Sequence, residues 1–225
     1  MLSGILPGKH VKINANINGQ NLMRFYSPVS DPKAKGHFEI VLKIYPSVEG
    51  DPKAGVFSRH LDSKDVGDHL LISGPYGAMA YQGNGTFLIR DKELKTFKHV
   101  AMIAGGTGIT PKLQLIRSVI RNKSDPTRVS LIYTNKTPDD VVCREELEDY
   151  AADEKFRLLL TLTRVDRGQL PDWPHTFGRI GVDKVKEFFP EPSEDVLVLI
   201  CGPKGMNATA KSICEELKYP NVHVY

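Results

Sequence analysis

Residues 99–111 read HVAMIAGGTGITP, an apolar run that ends abruptly in a glycine cluster followed by Thr and Pro. After this stretch, apolar residues recur at helical spacing, at Leu113, Ile116, Val119 and Ile120. The pattern predicts a buried strand, a tight turn and the start of a helix, with Thr110 as the N-cap and Pro111 in the first turn.

The predicted turn is a candidate phosphate site. Backbone amides and the positive end of the helix dipole meet an anion at a helix start, and glycines let the ligand approach closely. The stretch departs from G-x-G-x-x-G because Pro111 stands in place of the third glycine, and the chain contains no G-x-x-x-x-G-K-[ST] motif. A plain strand–helix turn without a ligand is the alternative.

Composition excludes several classes of protein. The 225 residues are 40% hydrophobic and 25% charged, as in soluble globular proteins, so disordered and fibrous classes are excluded. The net charge of +3 is too mild to indicate nucleic acid. Three cysteines are too few for a disulfide framework, which predicts a reducing, cytoplasmic location. We expect no membrane anchor within this sequence, because no apolar run is long enough to span a bilayer; an anchor before residue 1 in a longer form is the alternative. We expect no metal, because the histidines are scattered.

The chain changes rhythm near residue 95. Before it, short alternating runs and turn residues predict a β-barrel or sandwich. We expect a hairpin at Asn18-Gly19 between two strands, further strands at 37–45 and 70–72, a short helix at 55–61 and a turn at 74–77.

After a charged linker at 92–98, strands and helices alternate, as in a parallel α/β sheet with ligands at the carboxyl ends of its strands. The predicted strands are 99–104, 128–134, 157–163 and 196–201, and the predicted helices are 110–121, 139–152, 182–189 and 204–217. The chain is therefore predicted to form two domains, all-β over 1–95 and α/β over 96–225.

Three residues near the end of the second strand form a candidate cofactor site. Arg24 can bind a phosphate, the Tyr26 ring projects from the same strand face and can pack on a flat ligand, and Ser27 adds a hydroxyl donor. An exposed arginine and a half-buried tyrosine on an ordinary strand are the alternative.

Three further stretches lie where predicted elements begin or end. Residues 55–58 open the short helix, where amides can bind a second phosphate or form a plain turn. Cys201 ends a strand at the same sheet edge as the glycine turn, or is a small core residue. Thr163 and Arg164 follow another strand, where they can bind a ribose 2′-phosphate that an acidic residue would repel. A solvated basic loop is the alternative, and we favour it for Arg167.

The order of these motifs is more specific than any one of them. They are RFYS at 24–27, KIY at 43–45, GVFS at 55–58, GPYG at 74–77, GGTGITP at 105–111 and CGP at 201–203. In series they resemble the ferredoxin–NADP reductase superfamily, and within it the NADH–cytochrome b5 reductases and the flavin module of eukaryotic nitrate reductase. The resemblance covers essentially the whole chain.

The resemblance implies an FAD-binding antiparallel barrel followed by a domain that binds NADH or NADPH. Arg24 would hold the FAD diphosphate, Tyr26 would pack against the flavin, and Ser27 would hydrogen-bond near the flavin N5. The FAD phosphates would contact Gly55, Val56, Phe57 and Ser58. The region between flavin and nicotinamide would be lined by Val41, Lys43 and Tyr45.

The same resemblance places the pyridine nucleotide on the second domain. Its binding turn would consist of Gly106, Thr107, Gly108, Thr110 and Pro111. The ribose would lie at Thr163 and Arg164. The nicotinamide end would be held by Cys201, Gly202, Pro203 and Met206.

The implied reaction passes a hydride from nicotinamide to flavin N5, after which single electrons go to a haem protein with an acidic surface, similar to cytochrome b5. Ser27, Lys43 and Cys201 would lie beside the reacting atoms, and we expect no side-chain nucleophile or general base, because the protein positions the cofactors. We expect a monomer. The alternatives are a flavin reductase fragment of a larger redox enzyme such as nitrate reductase, and a non-catalytic nucleotide-binding module that has lost FAD.

Two departures from the family pattern are informative. The family has about one more barrel strand before the position of Met1, so we expect either a truncated chain or an open barrel. The position of Thr163 is usually Asp in the cytochrome b5 reductases, whereas Thr163-Arg164 is similar to the Ser-Arg pair of NADP-using reductases. We therefore expect this protein to accept NADPH well.

Overall fold

The computed structural model describes residues 4–51, 53–165, 172 and 174–225. Its N-terminal part consists of two three-stranded antiparallel sheets and one short helix. In chain order the elements are β1 (His10–Ile17), β2 (Gln20–Tyr26), α1 (Val56–Asp62), β3 (Leu71–Tyr76), β4 (Met79–Gly83), β5 (Thr86–Ile89) and β6 (Glu93–Thr96).

The strands pair in the orders β2-β1-β3 and β4-β5-β6. The hairpin predicted at Asn18-Gly19 is confirmed, with both residues at positive φ (51° and 77°) between β1 and β2. Val11 and Ile13 on β1 are buried. The antiparallel N-terminal architecture agrees with the sequence prediction.

Residues 37–45 do not form the predicted strand. Their backbone pairs at one isolated bridge, between Pro28 and Ile40, and the Val29 amide donates to the Glu39 carbonyl at 2.9 Å. The alternation of apolar residues is that of a strand, but a ladder requires a partner along its whole length.

Two shorter predictions in this half were also wrong. Residues 74–76, assigned to a turn, are the last residues of β3, and both Gly74 and Gly77 have a positive φ, of 138° and 121°. The charged stretch 92–98, assigned to a linker, contains β6. A charged composition is equally compatible with an exposed strand.

The second half contains one six-stranded parallel sheet with helices between its strands. Its elements are β7 (His99–Gly105), α2 (Thr110–Arg121), β8 (Arg128–Asn135), α3 (Arg144–Tyr150), β9 (Phe156–Leu162), β10 (Thr176–Phe177), α4 (Val182–Phe188), β11 (Val196–Cys201), α5 (Lys204–Glu216) and β12 (Asn221–Val224). Two 3₁₀ turns, Gly106–Ile109 and Pro138–Asp140, precede α2 and α3. The described helices include none that is long and apolar enough to cross a membrane.

The strand order β10-β9-β8-β7-β11-β12 determines where a ligand can bind. The chain proceeds from β7 to β8, β9 and β10 on one side and places β11 and β12 on the other. The carboxyl ends of β7 and β11 are therefore the topological switch point of the sheet, where a ligand-binding crevice is expected. Core clusters pack against both faces, so β7 is almost wholly buried.

The predicted strand, turn and helix around residues 99–111 are confirmed, with one difference. Thr110 is the first residue of α2, and its hydroxyl donates to the Thr107 carbonyl at 3.1 Å instead of capping an amide. The N-cap position therefore falls on Ile109, at the end of the 3₁₀ turn, while the helix spans the predicted residues 110–121. The helix predicted at 139–152 is divided into a 3₁₀ turn and α3, and the short strands β10 and β12 were not predicted.

Helix α2 contacts the N-terminal half through two polar side chains. Gln114 Nε2 donates to the Ser30 carbonyl at 2.8 Å and to the Ile5 carbonyl at 3.1 Å. The Arg117 guanidinium binds both carboxylate oxygens of Glu146 at 2.7 Å and donates to the Val29 carbonyl. These contacts join both halves of the chain to one helix.

A buried network joins the β4–β5 hairpin to the loop before β8. The Tyr81 hydroxyl donates to Asp125 Oδ2 at 2.6 Å, and the same oxygen accepts the Asn84 amide at 3.0 Å. Thr127 donates its amide to Asp125 Oδ1 at 3.0 Å. Burial alone would raise the pKa of Asp125, but the hydrogen bonds from Thr127, Tyr81 and Asn84 outweigh burial and lower that pKa.

We predict that Asp125→Asn lowers the free energy of unfolding at neutral pH by about 1–3 kcal/mol, because buried donors lose a charged acceptor. The native pKa of Asp125 is lowered, so its stabilisation is present above the unfolded-state pKa of about 3.9 and is lost as pH falls through the native value. Urea unfolding across pH measures the effect. Asp68→Asn, at an exposed pair with Lys64, is the control and should change stability by less than about 0.5 kcal/mol. Equal losses in the two variants would contradict the prediction.

Candidate functional site

The segments that follow β7 and β11 contact each other backbone to backbone. A Cβ atom at Gly108 would lie 2.1 Å from the Cys201 carbonyl oxygen and 2.9 Å from the Gly202 nitrogen. Only glycine fits this approach, because the opposing atoms are backbone. The two predicted motifs, the glycine turn and CGP, therefore meet in one site.

Met206, in the first turn of α5, packs against two glycines of this site. A Cβ at Gly105 would lie 2.5 Å from its Sδ, and a Cβ at Gly202 would lie 2.4 Å from its Cε. Pro203 is the residue before α5 and is also close to Gly105. The structure thus brings together all of the predicted residues 201–203 and 206 with those of the glycine turn.

The turn has open space beside Gly106. Gly106 is left-handed, with φ of 53°, and a Cβ there would meet none of the described atoms within 4 Å. The space above Gly106 is therefore open to a ligand. Gly106–Ile109 form the 3₁₀ turn that leads into α2, so the amides at the start of a 12-residue helix are close to that space.

Tyr133 on β8 is hydrogen-bonded to the turn. Its hydroxyl donates to the Gly106 carbonyl at 3.1 Å and accepts the Val142 amide at 3.2 Å. Burial raises the pKa of Tyr133 to about 12, so the hydroxyl remains a donor at neutral pH. Sequence analysis did not identify this residue, because a buried strand Tyr has no separate signal.

Thr163 and Arg164 follow β9 at the same sheet edge, and both are exposed. The Thr163 amide and hydroxyl donate to the Asn135 carbonyl, at 2.9 and 3.1 Å, and the Arg164 amide donates to the Lys136 carbonyl at 2.8 Å. These bonds fix the backbone and leave the Arg164 side chain exposed. Arg167 lies outside the described residues.

Lys112 is a residue of the site that sequence analysis missed. It is fully buried in the first turn of α2, with Nζ 3.4 Å from the Gly108 carbonyl and 5.1 Å from the centre of the Tyr225 ring. Burial lowers the pKa of Lys112 to about 8. The Tyr225 hydroxyl is buried and has no hydrogen-bond partner in the described part of the chain.

On the first domain, the predicted FAD residues cluster at the start of α1. The rings of Tyr26 and Phe57 stack with their centroids 6.4 Å apart and 26° between their planes, and the Arg24 guanidinium lies 5.6 Å from the Phe57 ring centre. Arg24 is exposed. Ser27 is half-buried directly after β2. An exposed cation beside a stacked aromatic pair suits a ligand with a flat ring and a diphosphate.

Residues 55–58 have a structural role of their own. Gly55 is left-handed, with φ of 64°, and a Cβ there would lie 2.0 Å from the Tyr45 carbonyl oxygen. The Ser58 hydroxyl accepts the Tyr45 amide at 3.0 Å and donates to the Gly55 carbonyl at 3.1 Å. Its proton is therefore engaged within the turn, while Val56 begins α1. The predicted phosphate contact of Ser58 stays a prediction.

Lys43 crosses from the first domain to the second. Its Nζ lies 2.5 Å from Asp140 Oδ1, and Asp140 Oδ2 accepts the amide and hydroxyl of Thr137 at 3.2 and 3.0 Å. The hydrogen bond between them raises the pKa of Lys43 and lowers that of Asp140. Val41 packs against the main core, and Tyr45 is half exposed beside α1.

The comparisons with known proteins agree with this arrangement. Residues 2–81 match a family model described as the oxidoreductase FAD-binding domain, and residues 102–212 match the oxidoreductase NAD-binding domain. The chain is 42% identical over 212 residues to NADH-cytochrome b5 reductase 2 of Xenopus laevis, which covers 90% of this chain and 70% of the relative. It is 38% identical to the mouse protein of the same name, over 96% of this chain and 80% of the relative.

A solved structure gives the same result. The cytochrome b5 reductase domain of Ulva prolifera nitrate reductase superposes with a TM-score of 0.89 at 29% identity, and the match covers 100% of this chain and 87% of that one. The two-domain fold and both binding domains predicted from the sequence are therefore confirmed. The chain belongs to the NADH–cytochrome b5 reductase family of FAD- and NAD-binding oxidoreductases.

Proposed function

We propose that this protein oxidises NADH or NADPH and passes the electrons one at a time to a haem protein of the cytochrome b5 type. The observation that carries the proposal is the contact of Gly108 with Cys201 and Gly202 at the switch point of the sheet. Because ligands of such sheets bind at the switch point, we place the nicotinamide dinucleotide there.

Each predicted site residue has one task in this proposal. Arg24 binds the FAD diphosphate, Tyr26 orients the ring system, Ser27 donates a hydrogen bond to it, and the amides of residues 55–58 complete the FAD site. Bound FAD supplies hydride acceptance and single-electron release. The side chains Ser27, Lys43 and Cys201 position the two ring systems and exclude water from the space between them.

The nucleotide lies on the turn that contains Gly106, Thr107, Gly108, Thr110 and Pro111. In this proposal its diphosphate meets the start of α2, and its nicotinamide end lies against residues 201–203 and Met206. The open space above Gly106 supports this placement.

An acidic haem protein is the acceptor that the charge of the chain favours. The net charge of the chain is +3. Opposite charges steer such partners together and make the rate depend on salt. A monomeric, cytoplasmic protein remains our prediction.

A second candidate follows from the nitrate reductase match. That domain serves a larger enzyme, and this chain covers 87% of it. A reductase that is a fragment of such an enzyme would reduce cytochrome b5 poorly and a covalently linked haem domain rapidly.

The decisive experiment is an anaerobic titration of the purified protein with NADH and with NADPH, followed by cytochrome b5 reduction. We expect flavin bleaching by both donors, and cytochrome b5 reduction that slows as ionic strength rises. Protein that binds no added FAD would favour the non-catalytic module. Rapid bleaching without any reduction of cytochrome b5 would favour the fragment of a larger enzyme.

We predict that Thr163→Asp shifts the preference toward NADH by at least about tenfold in kcat/KM, which corresponds to about 1.4 kcal/mol. The physical reason is repulsion between the new carboxylate and a 2′-phosphate. Thr163→Ser keeps the hydroxyl that bonds Asn135 and should leave the preference unchanged. If wild type already prefers NADH by more than about tenfold, the proposed NADPH use is wrong.

We predict that Gly108→Ala abolishes dinucleotide binding while FAD remains bound, because the added Cβ would lie 2.1 Å from the Cys201 carbonyl and displace the turn. Gly205→Ala is the matched control, since a Cβ at that position of α5 meets none of the described atoms within 4 Å. Flavin absorbance and NADH affinity measure the two effects. Normal NADH binding by the Gly108 variant would contradict the proposed site.

A further inference from the structure

Lys112 is a buried cation without a counter-charge. Its side chain is fully buried, and it forms no ion pair in the part of the chain that the structure describes, although ten pairs occur there. Its one polar contact is the Gly108 carbonyl at 3.4 Å. An ammonium group in such a place is unfavourable unless an anion compensates it.

The groups around Lys112 do not supply that anion. The Tyr225 ring faces the ammonium group at 5.1 Å, and His223 is half-buried with its ring 4.9 Å from that of Tyr225. Burial lowers the pKa of Lys112, and a smaller electrostatic interaction with Cys201 raises it. Burial raises the pKa of Tyr225, so its hydroxyl is neutral at physiological pH. Burial and the charge of Lys112 lower the pKa of His223.

The position of Lys112 in the fold indicates where an anion would come from. Lys112 belongs to the first turn of α2, and the carbonyl it contacts is that of Gly108, within the turn that leads into this helix. The turn is open above Gly106 and presents the positive end of a helix to that space. A dinucleotide diphosphate there would be a fixed dianion close to a buried cation.

We propose that Lys112 is the buried counter-charge for the diphosphate of the bound dinucleotide. The inference rests on the proposed nucleotide site at the turn. It adds that dinucleotide affinity depends on whether Lys112 is protonated. Because proton and ligand binding are reciprocal, bound dinucleotide favours the protonated form of Lys112, and loss of that proton weakens dinucleotide binding.

The direction of the pH dependence of dinucleotide affinity follows from the direction of the pKa shift. Burial lowers the pKa of Lys112 to about 8 without ligand, and a nearby dianion raises it. The affinity is therefore highest below about pH 8 and falls as pH rises above it. A rise of about one pKa unit on binding corresponds to a tenfold loss of affinity at high pH.

ADP-ribose is the probe that isolates this effect. Its diphosphate does not titrate near neutral pH, and it lacks the nicotinamide ring. With the full FAD-loaded protein, we expect the dissociation constant to rise about tenfold between about pH 7 and about pH 9.5. In Lys112→Met the change should be below about twofold, and in Lys112→Arg the affinity should stay high across the range, because guanidinium remains charged.

The control is Lys123→Met, an exposed lysine just beyond the other end of α2, which should keep the wild-type pH dependence. Calorimetry in two buffers with different ionisation enthalpies gives a second readout. Near about pH 8.5 wild type should take up part of a proton on binding, and Lys112→Met should take up none.

Three results would overturn the inference while leaving the proposed function intact. They are a pH-independent dissociation constant in wild type, an undiminished pH dependence in Lys112→Met, and loss of the pH dependence in Cys201→Ala. Failure of wild type to bind ADP-ribose at about pH 7 would overturn both proposals.

Discussion

The approach of the Gly108 backbone to the Cys201 carbonyl is the constraint on which the nucleotide crevice depends. A side chain at this position would separate the segments after β7 and β11, because the opposing atoms are backbone and cannot rotate away. Met206 packs equally closely against Gly105 and Gly202, where an added Cβ would lie 2.5 and 2.4 Å from its side chain. The parallel strands bring these two segments to one edge of the sheet, and the glycine at position 108 lets their backbones touch.

Local sequence was sufficient to predict elements whose partners are close in the chain. The apolar run of β7, its glycine cluster and the periodic face of α2 form one strand–turn–helix unit, and each part supports the others. Residues 37–45 show the limit of this reasoning. Alternating apolar and polar residues indicate that successive side chains point to opposite faces. A strand also needs backbone hydrogen bonds to a neighbouring strand, and this segment pairs only at Ile40. Strand β12 was missed for the opposite reason, since its four residues depend on pairing with β11.

The residues of the candidate site also fall into those that the sequence predicts and those that it does not. Its glycines and the CGP segment were predictable, because their conformations restrict the residue type. The ion pair between Lys43 and Asp140 joins residues 97 positions apart, and nothing at either position indicates the other. Lys112 occupies a helix position where a lysine normally indicates an exposed face. Its burial depends on Tyr225, at the far end of the sequence, so only the folded structure places it in the core.

Helix α2 is hydrogen-bonded to both halves of the chain. Its first turn lies under the nucleotide crevice, and Gln114 and Arg117, about one and two turns later, hold the carbonyls of Ser30 and Val29. Those two residues follow Ser27 almost immediately, just beyond the end of β2. A displacement of the first turn of α2 would therefore also act on these two carbonyls. The two halves of the chain are thus held together by hydrogen bonds from one helix as well as by the peptide chain between them.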